Sequence, residues 1–131
     1  MKVKKDRKQQ VGRLGEKHAA RYLKRKGYRI KARNIHLSHN EIDLIASNKA
    51  YIVFVEVKTR TIKSPDAPFV RPSLAVDYGK RKRTLEAAYS YIRQNPTDKQ
   101  PRIDVIEVLL FEDPLRLFSI NHIENAFGAQ I

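Results

Sequence analysis

Residues 41–60, EIDLIASNKAYIVFVEVKTR, constrain the fold more tightly than any other stretch of the chain. IDLIA and YIVFV are short apolar runs, the second rich in β-branched and aromatic residues, and SNKA between them is a turn, so the spacing predicts a hairpin. Runs this apolar suit strands buried on both faces, in the middle of a sheet. Yet Glu41, Asp43, Glu56 and Lys58 lie within the same strands, where a charge is costly unless paired or bound to metal.

Alternation puts Glu56 and Lys58 on one side of their strand with Ile52 and Phe54, and Val53, Val55 and Val57 on the other. Glu41 and Asp43 share a face of the preceding strand. With the turn centred on Asn48-Lys49, Asp43 pairs opposite Phe54 and Glu56 lies diagonal to it, within side-chain reach. Two carboxylates and a lysine then converge. They can form a cross-strand ion pair on a solvated face, or the acids can share a divalent cation that relieves their repulsion. Mg²⁺ takes one or two carboxylates, keeps several waters and accepts phosphate oxygens. A lysine beside it can orient or deprotonate water, or steady charge developing on phosphorus. The apolar surroundings favour the metal–phosphate reading over the plain ion pair.

The remaining elements follow from periodicity. Residues 11–26 (VGRLGEKHAARYLKRK) predict a helix stopped by Gly27, and 28–35 a first strand. Glu16 shares a stripe with Gly12, Ala19, Ala20 and Leu23, so it faces the interior rather than the outer face of Lys17, Arg21 and Lys24. Residues 61–77, with three prolines, read as a long irregular connection. A second helix is expected over 78–94, with the stripe Leu85, Ala88, Tyr89 and Ile92, stopped by Pro96. RIDVIEVLLF and LRLFSI predict two more strands, and NHIENAF a short closing helix. The order α-β-β-β-α-β-β-α, without repeats or a linker, implies one mixed sheet flanked by helices, of the α/β (α+β) class. Within it, Arg102 and Asp104 share a strand face and suit an internal salt bridge.

Charge narrows the partner. Of 27 basic and 14 acidic residues, 14 basic and 2 acidic fall in residues 1–33, so nearly all of the +13 net charge lies there. A nucleic acid is the expected partner, because phosphate contacts release condensed counterions. A solubilising tail explains residues 2–8 alone but not the excess that continues through the folded helix. The second helix opens with GKRKR, four cations opposing its macrodipole, which local stability does not explain and phosphate binding does. Lys80, Arg81 and Arg83 are the candidates there, and Arg13, Lys17 and Arg60 elsewhere.

Other chemistries lack their signatures. Without cysteine there is neither a disulfide framework nor a thiolate metal site. His18, His36, His39 and His122 show no paired ligand spacing. No phosphate-cradling glycine loop or GxSxG is present, and no apolar stretch suits a membrane span or signal peptide. A cytoplasmic protein is expected.

Asp43, followed by Glu56-Val57-Lys58 on the next strand, resembles the PD-(D/E)XK signature of restriction-endonuclease-like nucleases. The surrounding segments GRLGEKHAARYLKRKGYRIKARN, NEIDLIA, VFVEVKTR, RIDVIEV and HIENAF resemble the YraN family of small bacterial proteins, from about Val11 to Phe127. One departure is Asn40, where the family usually has glycine. The resemblance implies a nuclease-like domain over 11–131 behind a flexible basic tail at 1–10. It implies Asp43, Glu56 and Lys58 as the active-site set. Glu16 would be an auxiliary acid, as in the similar archaeal Holliday-junction resolvases, and Lys80 a recurrent lysine of the second helix. The expected activity is Mg²⁺- or Mn²⁺-dependent hydrolysis of phosphodiesters, in DNA before RNA, with branched and single-stranded DNA among the substrates. Asp43, Glu56 and the Val57 carbonyl would bind metal, and Lys58 would position water. Analogy with the resolvases adds a homodimer. The alternatives are a catalytically silent nucleic-acid-binding module on the same fold, and an adaptor whose charges are only an ion-pair network.

Overall fold

The computed structural model describes residues 2–37, 40–66 and 78–126. Helix α1 (Lys2–Arg25) ends at Gly27, whose positive φ lets the amides of Gly27 and Tyr28 reach back to the carbonyls of Lys24 and Leu23. It begins nine residues before the expected start at Val11. Residues 2–10 carry no apolar stripe, so periodicity is silent about them, yet they continue the helix instead of preceding it as a tail. The Arg7 guanidinium, in this extension, hydrogen-bonds the Glu112 carbonyl.

Strands β1 (Arg29–Leu37), β2 (Asn40–Ser47) and β3 (Tyr51–Ile62) follow, then helix α2 (Tyr78–Gln94) and strands β4 (Gln100–Glu112) and β5 (Leu115–Ile123). The sheet order is β1-β2-β3-β4-β5, with β3 and β4 parallel and every other neighbour antiparallel. The parallel pair needs a crossover, and α2 lies within it. This mixed α+β sheet is a restriction-endonuclease-like arrangement. Residues 121–123, expected to open a closing helix, instead end β5, where pairing with β4 wins over helix propensity. Residues 124–126 form a turn. Phe127 of that expected helix, most of the expected 61–77 connection and His39 lie outside the described residues.

Each face of the sheet has its own core. On one, Ala19, Ala20 and Leu23 of α1 pack on Leu44, Ala46, Val53, Val55, Ile106 and Val108. On the other, Ala87 and Ala88 of α2 pack on Ile42, Ile45, Phe54 and Ile103. Each large side chain removed from water contributes about 1.5–3 kcal/mol. Leu85 and Ile92 of the expected α2 stripe join the second core together with Tyr91, whereas Tyr89 is 42% exposed. The buried stripe is rotated toward Ala87 and Tyr91.

Arg102 and Asp104 do pair inside β4, Nε to Oδ1 and Nη2 to Oδ2, both at 2.9 Å. Asp104 also accepts from His122 Nε2 at 2.7 Å and from the Asn125 amide at 3.0 Å, and Arg102 donates to the Tyr28 hydroxyl. This network joins β4, β5 and the segment after α1. Burial pushes the Asp104 carboxyl up, but the hydrogen bonds from His122, Arg102 and Asn125 outweigh it and hold the group below its ordinary range.

Candidate metal and phosphate site

The hairpin register differs from the expected one by two residues. Ile45 pairs with Phe54 and Leu44 with Val55, so the loop is Lys49-Ala50. The cause is Asn48. Its Oδ1 accepts from the amides of Ala50 and Tyr51, and its own amide donates to the Tyr51 carbonyl. A shift of two preserves the faces. It moves Asp43 from Phe54 to the level of Glu56.

The β2–β3 ladder ends at Leu44 and Val55, immediately before those acids. The alternation of β2 also breaks there, since Ile42 joins the α2-side core, Leu44 the α1-side core and Ile45 the α2 side again. The strands therefore separate where Asp43 and Glu56 stand. Asp43 Oδ2 fills the gap by accepting from the Val57 amide at 2.8 Å, an N–H left free by the end of the ladder.

A cleft of about 290 Å³ opens on the α2 side, lined by Glu41, Asp43, Glu56, Lys80, Arg83 and Thr84 among others. Lys80 forms an ion pair with Glu56 across it. A second cleft of about 310 Å³ lies against α1, between Lys8, Glu16, Asn34, Glu41, Asp43 and Val57. Glu41 and Asp43 border both. Close packing at Gly15 brings Glu16 here, because a Cβ at that position would lie 2.7 Å from the Thr59 Cβ.

Electrostatics tie the acids together. Burial raises the Asp43 carboxyl above its ordinary value; the Val57 amide opposes this, Glu56 and Glu41 push it higher, and Lys80 lowers it. Burial also raises Glu16, followed by repulsion from Asp43 and Glu41. The site thus holds more negative charge than it neutralises, which suits a cation.

Of the expected residues, the structure brings together Asp43, Glu56, Lys80 and Arg83 in one cleft, and Asp43, Glu16 and Val57 in the other. Lys58 is half-buried on β3 and lines neither cleft. Arg13, Lys17 and Arg60 are exposed and Arg81 is partly buried, all outside both linings. Two participants went unread as site residues. Glu41 was signalled by the E-x-D spacing on β2, whereas Lys8 carried no signal because its helix was unread.

Among the described residues, no three His, Asp or Glu side chains are arranged as a ready-made metal cage. Two carboxylates facing a cleft with room for water match the donor set of Mg²⁺ or Mn²⁺, which retain waters, better than that of Zn²⁺. No described helix is long and apolar enough to cross a membrane.

Comparison with known proteins places the chain. Residues 15–108, which include Glu16, Asp43, Glu56, Lys58 and Lys80, match the model of the uncharacterised protein family UPF0102. A UPF0102 protein of Caldanaerobacter subterraneus subsp. tengcongensis is 48% identical over 126 residues, covering 95% of this chain and 100% of the relative. One from Alkaliphilus oremlandii is 43% identical over 120 residues, covering 89% and 97%. One from Clostridioides difficile is 43% identical over 117 residues, covering 88% and 95%. With its family model matched and its relatives aligned nearly end to end, the chain belongs to the UPF0102 (YraN) family.

Proposed function

We propose that the protein is a Mg²⁺- or Mn²⁺-dependent nuclease that hydrolyses phosphodiester bonds in DNA, including branched or single-stranded DNA. The observation that carries this reading is the parting of β2 and β3 at Asp43 and Glu56, which turns two acids toward a cleft bordered by cations. Asp43 and Glu56 would hold the metal, with the Val57 backbone beside them and Glu16 acting from the α1 side. When bound, such an ion polarises a phosphate oxygen and makes water a stronger nucleophile. The Val57 amide fixes the Asp43 carboxylate, so that its other oxygen is free to bind. Lys80 and Arg83 reach the same cleft from the first turns of α2 and can receive phosphate oxygens. Lys58, on the strand face of Glu56, supplies a cation for water or for the charge developing on the phosphoryl oxygens. Arg13, Lys17, Arg60 and Arg81 lie outside the linings and would follow the DNA backbone.

The test is cleavage of linear, flapped, single-stranded and four-way DNA with Mg²⁺ and with Mn²⁺. Metal-dependent cutting by the wild type that Asp43→Ala abolishes is expected. Equal products from both proteins would remove the enzyme reading.

One observation favours a second reading. Lys80 pairs with Glu56, as it would in a nucleic-acid-binding module whose site serves only as an ion-pair network. That module binds DNA with strong salt dependence, is indifferent to divalent ions and keeps its affinity in Glu56→Ala.

A further inference from the structure

The row of side chains that carries Glu56 and Lys58 continues across the sheet. In the parallel ladder, Phe54, Glu56 and Lys58 stand beside Ile103, Val105 and Glu107, and Glu107 pairs in turn with Asn121 of β5. Residues paired in register present their side chains to the same face. Lys58, Glu107 and Asn121 therefore form one polar row over three strands, a single step beyond Glu56.

Glu107 is unusual in its surroundings. It is 4% exposed, with Val105 and Leu109 buried to either side along β4. Its Oε1 accepts from Asn121 Nδ2 at 2.9 Å. Its Oε2 is, among the described residues, the one buried side-chain polar atom without a hydrogen-bond partner. A buried carboxylate oxygen left open is costly, so a native fold that keeps one holds it for a donor or a cation. An apolar side chain would serve the packing alone at less cost. Lys58 stands directly opposite, half-buried. Neighbouring strands are about 4.8 Å apart, and a four-carbon stem spans that distance by a change of rotamer. Glu56, the other acid next to Lys58 on this face, is already engaged by Lys80.

We propose that Glu107 is a positioning residue for Lys58: its open carboxylate oxygen receives the Lys58 ammonium and holds it at the edge of the Glu56 site. This rests on the reading of Lys58 as part of the catalytic set, and adds the group that aims it. The proposed pairing does not depend on whether the protein cuts DNA.

A double-mutant cycle tests it, with wild type, Glu107→Gln, Lys58→Met and the double variant unfolded in urea. Gln keeps the shape of Glu and the acceptor for Asn121, and Met keeps most of the lysine stem. The unfolding constants are expected to depart from multiplicativity by roughly fivefold or more; multiplicativity within about twofold overturns the proposal. Lys58→Met also reads the pair alone, because it strands the buried charge. A raised unfolding constant supports the pair, and an unchanged one overturns it.

In cleavage, Glu107→Gln should lower kcat about tenfold with KM held within about twofold, and Glu107→Asp should recover part of the loss. An effect confined to KM, or no effect, overturns the positioning role. A wild type that cuts no substrate yet shows the coupling supports the pair and removes the nuclease reading alone.

Discussion

Asp43, half-buried, and Asp104, fully buried, are two aspartates with opposite consequences. Asp104 is surrounded by donors and lies below its ordinary value of 3.8. Its stabilising contribution is complete above 3.8 and is lost as pH falls through the lower folded value. Asp104→Asn should destabilise the fold by about 3 kcal/mol at pH 7, the scale for breaking a buried ion pair. It should also flatten the acid limb of the stability profile below 3.8, as urea unfolding between pH 2 and 7 would show. Asp43 is raised by burial and by its acidic neighbours, so ionising it opposes folding. Asp43→Asn keeps an acceptor for the Val57 amide and removes that repulsion. It is expected to stabilise the metal-free protein by about 1 kcal/mol at pH 7, with the gain shrinking as pH falls and the wild-type carboxyl protonates. Thermal unfolding in EDTA checks this; a lower Tm for Asp43→Asn contradicts it. A residue whose replacement stabilises the fold is one kept for something other than stability.

At the scale of elements, alternation made the faces of Glu56 and Lys58 legible because a strand has a period of two whatever its partner. The register was not legible, since it depends on which residue closes the turn, and the Asn48 side chain moved it by two. The helical extension before Val11 has no apolar period to read. Glu107 was hidden by its setting in IDVIEVLL, where only the parallel neighbour Lys58 gives it meaning. The α1–β3 contact was equally hidden, because nothing local marks Gly15 as the point of closest approach. Ala is the better helix former by about 1 kcal/mol, yet Gly15→Ala should destabilise by about 1–3 kcal/mol. Thr59 presents Oγ1, Cγ2 and Cβ to the clash, so in the Gly15→Ala background Thr59→Ala, which keeps the Cβ contact, should recover part of that cost and Thr59→Gly more of it. Urea unfolding of Gly15→Ala alone and combined with Thr59→Ala or Thr59→Gly decides, and a stabilised Gly15→Ala would show that α1 does not press on β3 here.

For the whole molecule, the charge of +13 concentrates in α1 and β1, and the helical form of residues 2–10 turns a basic run into an arm of the domain. That arm reaches the site, since Lys8 borders the cleft of Glu16 and Asp43. If about five phosphates are contacted, DNA affinity should fall roughly 500-fold between 50 and 200 mM salt. Replacing Arg13 and Lys17 by Gln should reduce the slope of log K against log salt by about two, measured by fluorescence anisotropy.

The central claim is that the acids where β2 and β3 part are a hydrolytic centre. Its most direct test is the single-turnover rate on the best-cut DNA substrate in Mn²⁺, for wild type, Asp43→Asn and Glu56→Gln under conditions that saturate DNA binding. The expected result is a rate that EDTA abolishes and that each substitution lowers by about 10²–10⁴-fold, with DNA affinity unchanged. Equal rates for the three proteins, or a rate that EDTA leaves intact, would contradict it.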